Sequence, residues 1–184
     1  DDGLGLERLE RASLRLQLSC ERQEHLEQAL HPLRFPAEFR RAAVANRLNP
    51  ALLLGVAKAE SQFLPAARSP VGAIGLLQLM PETAREVAGT PLNDASLEQP
   101  GPNSNLGARY LRQLLRQWQG ALLPAVASYN AGAAAVAGWD PGLLHSDPEL
   151  WVEQIPYPET RLYVKKVLGN AWNYARGSRE GCRG

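Results

Sequence analysis

Between Pro36 and Arg176, apolar side chains recur every three or four residues, and proline, glycine or asparagine breaks the runs. That period predicts helices. Asn49 suits an N-cap and Pro50 a first turn, so Pro50 to Ser61 reads as a helix with Leu53, Val56, Ala57 and Glu60 on one face and Lys58 off it. Pro36 to Leu48 predicts a helix packed beside it, and Pro81 to Ala88 another, with Gly89 as its C′ residue. Thr90 to Pro102 reads as a loop. Asn103 then reads as the N-cap of a helix carrying Gly107, Tyr110, Leu111, Leu114 and Trp118 at helical spacing and ended by Gly120. Leu122 to Tyr129 predicts a short helix, Ala133 to Ala137 a small-residue one and Pro148 to Gln154 a helical turn. A last long helix opens at Pro158 with Val164, Val167, Leu168 and Ala171 on one face. Alternating runs rich in Val, Ile and Thr are nearly absent, so the fold class is all-α. Glu7 to Leu30 is charge-rich and helix-forming, and predicts a solvated helical lead-in ending near His31.

Within this pattern Glu60 is out of place, as the only charged member of its apolar stripe. A carboxylate at the C-terminal end of a helix meets the negative end of the macrodipole, and burial also disfavours its charge. Such a group is a candidate proton donor near neutral pH. A lone glutamate at a helix end more often frays into water, so the residues after Ser61 decide between the two readings. Phe63 to Gly75 form a loop punctuated by proline and glycine, and it leads into an apolar segment, Gly75 to Met80, with the amide Gln78 inside it. A loop this stiff can pin polar groups.

The chain has 184 residues and 45% hydrophobic content, enough for one domain with an extra segment. A net charge of +1 gives no reason to expect nucleic acid or an anionic membrane as partner. No stretch approaches the roughly 20 apolar residues of a membrane span. The start at Asp1-Asp2-Gly3 lacks a leader, and the chain reads as a piece of something longer. Cys20 and Cys182 fit no metal spacing; a disulfide tying the two ends is open to them, with two unrelated thiols as the preferred reading. His25, His31 and His145 are scattered, which argues against a nucleophile triad. Arg109, Arg112 and Arg116 keep helical spacing, and a solvated face accounts for them without a function.

Five ordered motif segments run from Glu60 onward. Glu60-Ser61 precedes Ser69-Pro70-Val71-Gly72-Ala73 and Gly75-Leu76-Leu77-Gln78-Leu79-Met80-Pro81; Ser128-Tyr129-Asn130-Ala131-Gly132 and Glu159-Thr160-Arg161-Leu162-Tyr163-Val164 come later. In these the chain resembles the catalytic domain of the soluble lytic transglycosylases over residues 31–176, with residues 1–30 as the tail of a preceding helical domain and 177–184 as a C-terminal tail. Ser128 stands where that family usually has Ala, and Leu77 where it often has Met. The resemblance implies a lysozyme-like fold related to goose-type lysozyme. It also implies cleavage of peptidoglycan between N-acetylmuramic acid and N-acetylglucosamine with a 1,6-anhydro product, as a monomer in the periplasm or cell envelope, with no metal or organic cofactor. Glu60 would be the catalytic acid and then base, with Ser69, Gln78, Met80, Tyr129, Asn130 and Glu159 along the substrate cleft.

The residues themselves bear on this. Glycoside cleavage usually takes two carboxylates. Asp94, Glu98, Asp140, Asp147, Glu149 and Glu153 lie outside the motifs, and Glu159 comes directly after Pro158, where a helix N-terminus favours the ionised form. A substrate that supplies its own nucleophile, such as an N-acetylated amino sugar, fills the gap. The alternatives are a lysozyme-type hydrolase acting at the same bond and a non-catalytic peptidoglycan-binding module.

Overall fold

The computed structural model describes Leu26 and residues 29–176. Most of the lead-in expected over residues 1–30, both cysteines and the tail 177–184 lie outside the described residues. Those described form nine α-helices and one 3₁₀ turn, with no strand beyond the isolated bridges Arg68 to Ile74 and Ile74 to Leu79.

In chain order the helices are α1 Pro36–Ala45, α2 Pro50–Ser61, α3 Pro81–Ala88, α4 Pro100–Gln117, α5 Leu122–Ala131, α6 Ala133–Ala137, α7 Pro141–Ser146, α8 Pro148–Glu153 and α9 Pro158–Arg176; the 3₁₀ turn Asp94–Glu98 precedes α4. Seven of the nine open on proline, whose fixed φ and missing N–H suit a first turn. At α2 the Asn49 side chain also accepts a hydrogen bond from the Ala51 N–H at 2.9 Å.

The centre of the molecule is α2, against which α1 and α9 pack. Leu53, Val56 and Ala57 are fully buried in a core that also takes Phe39, Phe63, Leu76, Leu111, Val126, Val164 and Val167. Full burial of each larger side chain is worth about 2 kcal/mol. A smaller cluster, Ile74, Leu79, Ala84, Val87, Leu97 and Leu106, lies beneath α3 and the 3₁₀ turn. Tyr129 packs against both clusters.

The structure corrects the sequence reading in three places. Lys58 does not lie off the buried face: it is only 2% exposed, because α2 is enclosed on all sides rather than on one stripe. Asn103 is not an N-cap. The helix starts three residues earlier at Pro100, and Asn103 is fully buried inside α4. The segment 90–102 is therefore partly helical, and α7, capped by Asp140, adds to the elements expected from the sequence. Finally, α1 ends at Ala45 rather than Leu48. There the Leu48 N–H reaches the Ala43 carbonyl at 2.9 Å and the Arg47 N–H the Val44 carbonyl at 3.2 Å, a Schellman ending with Arg47 left-handed at φ 51°.

Candidate active site

Glu60 sits in the last turn of α2, half-buried. Beyond it, Gln62 and Phe63 are both left-handed, at φ 53° and 61°, which turns the chain sharply. Phe63 is fully buried and meets the edges of Phe39 and Tyr174, so it pins that turn from below.

The partner of Glu60 comes from α9. The Tyr163 hydroxyl donates to Glu60 Oε1 at 2.6 Å. This meeting depends on the closeness of two backbones: a Cβ on Gly55 would fall 2.7 Å from the Val167 carbonyl oxygen and 2.9 Å from the Ala171 nitrogen. With position 55 against 167 and 171, and position 60 against 163, the helices run antiparallel. Burial raises the Glu60 carboxyl to about 7; the Tyr163 hydrogen bond pulls it down, and the charge of Glu159 pushes it up. Tyr163 is itself buried, and its phenol is held well above its ordinary range, first by burial and then by the Glu60 charge. It is a fixed neutral donor. With Oε1 occupied, Oε2 is the oxygen left to carry a transferable proton.

The second wall is the loop 63–80, whose backbone is held by side chains. Ser61 Oγ donates to the Leu76 carbonyl at 2.8 Å. Asn103 Oδ1 accepts from the Leu77 N–H at 2.8 Å, while its Nδ2 donates to the Ile74 carbonyl at 3.0 Å and the Leu97 carbonyl at 2.8 Å. Tyr129 donates to the Leu77 carbonyl at 3.0 Å. Gly75, at φ 85°, is required here, since a Cβ would lie 2.1 Å from the Leu97 carbonyl oxygen.

The residues expected along the cleft are placed differently from one another. Burial, and after it the charge of nearby Glu60, raises the Tyr129 phenol, and its ring lies 5.1 Å from that of Tyr110. Glu159 is exposed in the first turn of α9, and among the described residues its charge is the one that raises Glu60. Asn130 is exposed at the end of α5, where its Oδ1 accepts from Thr160 Oγ1 at 2.6 Å, so the two later motifs are joined beside Glu159. Gln78, left-handed at φ 43°, gives its Nε2 hydrogens to the Ala67 and Gly75 carbonyls at 3.1 and 2.9 Å. Its acceptor oxygen remains to be offered to a ligand. Ser69 Oγ accepts from the Ala73 N–H at 2.9 Å and so closes its own turn. Met80 is 40% exposed at the cap position of α3. No hydrogen bond joins Ser69 or Met80 to Glu60 among the described residues.

Sequence reasoning misses Tyr163 and Asn103 as parts of this site. Tyr163 stands in the last motif, one helical turn after Glu159, and that spacing is the available signal. Asn103 carries none, because two of its three partners lie 26 and 29 residues away. Among the described residues no group of three or more His, Cys, Asp or Glu side chains gathers as a metal site would need, and no helix is long and apolar enough to cross a membrane.

Residues 38–142 match the family described as the transglycosylase SLT domain. The soluble lytic murein transglycosylase of Salmonella typhimurium is 36% identical over 153 residues, 79% of this chain and 23% of that protein. Among solved structures, an inactive mutant of lytic transglycosylase Slt from Pseudomonas aeruginosa superposes with a TM-score of 0.77 at 38% identity, over 81% of this chain and 25% of the other. The 70 kDa soluble lytic transglycosylase of Escherichia coli gives 0.78 at 31% identity, over 85% of this chain and 26% of the other. The chain thus spans about a quarter of the length of these relatives.

Proposed function

This chain belongs to the transglycosylase SLT domain family and has its lysozyme-like, all-α fold, and from that premise we propose that it cleaves peptidoglycan between N-acetylmuramic acid and N-acetylglucosamine, leaving a 1,6-anhydro-N-acetylmuramic acid end. The observation that carries this reading is one half-buried carboxyl, poised at about 7 and gripped on a single oxygen by Tyr163. A group in that state is protonated often enough to act as acid and ionises readily enough to act as base.

Protonated Glu60 gives its proton to the glycosidic oxygen as the bond to C1 breaks, and the acetamide oxygen of the same muramyl residue closes on C1. The Glu60 carboxylate then takes the proton of the C6 hydroxyl, whose oxygen displaces the acetamide from C1. One proton leaves Glu60 and one returns, and no water is consumed. Tyr129, Asn130, the Gln78 oxygen, Ser69 and Glu159 hydrogen-bond the sugars, and Met80 bears on a sugar face. The substrate places the reaction in the periplasm or cell envelope, with the domain acting as a monomer on glycan strands and needing no metal or organic cofactor.

A hydrolytic reading has one observation in its favour, namely that Glu159 is close enough for its charge to act on Glu60. A base at that place could hold a water. Mass analysis of digested peptidoglycan separates the two. Transglycosylation gives products one water lighter than hydrolysis and without reducing ends, and Glu60→Gln makes none while remaining folded. Reducing ends appearing in step with cleavage would overturn the proposal in favour of a hydrolase.

A further inference from the structure

Far around α4 from the cleft is a cavity of about 390 Å³ between that helix and the C-terminal end of α1, lined by Arg47, Arg109, Arg112 and Arg116 with Asn46 and Gln113. No acidic side chain lines it. At about 100° per residue, the three α4 arginines lie roughly 200° to 260° around the axis from Tyr110, which faces Tyr129. They are therefore on the flank opposite the one that serves Glu60. We propose that this cavity is a binding site for a multiply charged oxyanion of the phosphate type.

Three observations point to a ligand rather than a solvated face. First, none of the four guanidiniums forms an ion pair among the described residues, although exposed arginines elsewhere do: Arg68 pairs with Glu98 at 2.7 Å and Arg85 with Asp94 at 3.0 Å. Like charges gathered around one hollow repel, and an anion relieves that. Second, Arg112 is the one partly buried arginine of the four: its Nε is out of water without a hydrogen-bond partner, so its charge is held in the cavity wall with no answering group. Third, Arg47 occupies the left-handed position of the Schellman ending of α1. Glycine is favoured there, yet a residue with a long cationic arm stands in its place and lines the cavity. The Asn46 Nδ2, bonded to the Ala42 carbonyl at 2.8 Å and to Asn105 Oδ1 at 3.3 Å, fastens this ending to α4.

The chemistry selects the ligand class. Guanidinium forks match the paired oxygens of carboxylates and phosphates. A single carboxylate carries one charge and two oxygens, which leaves most of four arginines unanswered. A phosphate dianion or terminal phosphomonoester offers three or four oxygens and about two charges. The ligand is either a free phosphate or a phosphoryl group on a larger molecule.

The test is calorimetric titration of the full chain with inorganic phosphate and, in a second arm, with glycerol 3-phosphate, both in sodium chloride at fixed ionic strength. We expect saturable binding of one anion per chain, weakened about tenfold or more by the Arg109→Gln/Arg116→Gln pair. Arg112→Gln should do the same, and Lys166→Gln, which removes one charge outside the cavity, should leave affinity unchanged. Arg47→Gly is the sharpest variant, since it should bind more weakly while its Tm stays level or rises. Binding in both arms identifies a terminal phosphoryl group, and binding of inorganic phosphate alone a free anion. Absence of saturable binding in both arms, or equal affinity in the cavity variants and Lys166→Gln, overturns the proposal.

Discussion

Two regions of this protein meet at Glu60 and are held together by different means. Around α2 and α9 the order comes from apolar burial and from backbones in contact at Gly55, and few polar groups are involved. The loop 63–80 is shaped by hydrogen bonds from Ser61, Asn103 and Tyr129, side chains that belong to α2, α4 and α5. The first region supplies the acid and its tyrosine; the second supplies a wall whose carbonyls and amides must stay fixed although they belong to no helix. A helix satisfies its own backbone, whereas a buried loop has to be satisfied by others. The Glu60 carboxyl thus rests on packing, and the surface opposite it rests on a few amide and hydroxyl groups.

The most damaging test of that division is Asn103→Ala. It leaves the Leu77 N–H and the Leu97 carbonyl unpaired in the interior, while the Ile74 carbonyl keeps the Leu79 N–H at 3.1 Å; at about 1 to 2 kcal/mol for each unpaired group it should cost about 2–4 kcal/mol in urea unfolding. Hydrogen exchange should quicken in residues 74–79 before it does in α2. A loss under about 1 kcal/mol would mean that the loop is held by something other than Asn103.

Gly55→Ala strikes the other region. Its new Cβ meets backbone that cannot step aside, so about 2–3 kcal/mol should be lost. Cleavage should fall more than folding does, because Tyr163 is drawn away from Glu60; unchanged turnover would separate the helix contact from the site.

Glu60→Gln should be more stable than the parent above neutrality. The raised carboxyl means that the folded state holds a proton the unfolded state has released, so parental stability falls as pH rises from about 4.5 to about 7. The amide escapes that loss. Its advantage should be about 1–3 kcal/mol at pH 8 and near zero at pH 4, read from paired melts, and a constant difference across that range would show that Glu60 titrates normally.

The gentlest change is Tyr163→Phe. Parental cleavage should decline above pH 7 as the acid form of Glu60 disappears. Without a hydrogen bond that favours the carboxylate, the alkaline limb should move upward, by about one pH unit or less, while the maximum rate drops about tenfold. A limb displaced downward would contradict the part given to Tyr163.

The helices are largely legible in the sequence because proline marks their starts and apolar spacing their faces, and α2 reads to the residue at both ends. Reading fails where a side chain answers to distant backbone. Asn103 looks like a cap because asparagine usually caps, and only the fold shows that its amide serves the loop. Lys58 looks solvated as long as α2 is given one buried stripe, whereas the helix is enclosed. In the site, the isolation of Glu60 among apolar residues is visible in the sequence, and its grip by Tyr163 is not, since that depends on the backbone approach at Gly55. The arginines of α4 read as a solvated face, and Arg109 and Arg116 are indeed exposed; what the sequence does not show is that Arg47, just beyond the end of α1, lines the same cavity.

The grip of Tyr163 on one oxygen of Glu60 also sets an order of events. With Oε1 engaged, the proton that leaves Oε2 and the proton that later returns pass through the same point in space. The departing sugar oxygen and the C6 hydroxyl of the remaining sugar cannot both stand there. On the proposed mechanism the outgoing strand must therefore withdraw before the anhydro ring can close, and a ligand that lingers in the leaving position would stall the enzyme between its two half-reactions.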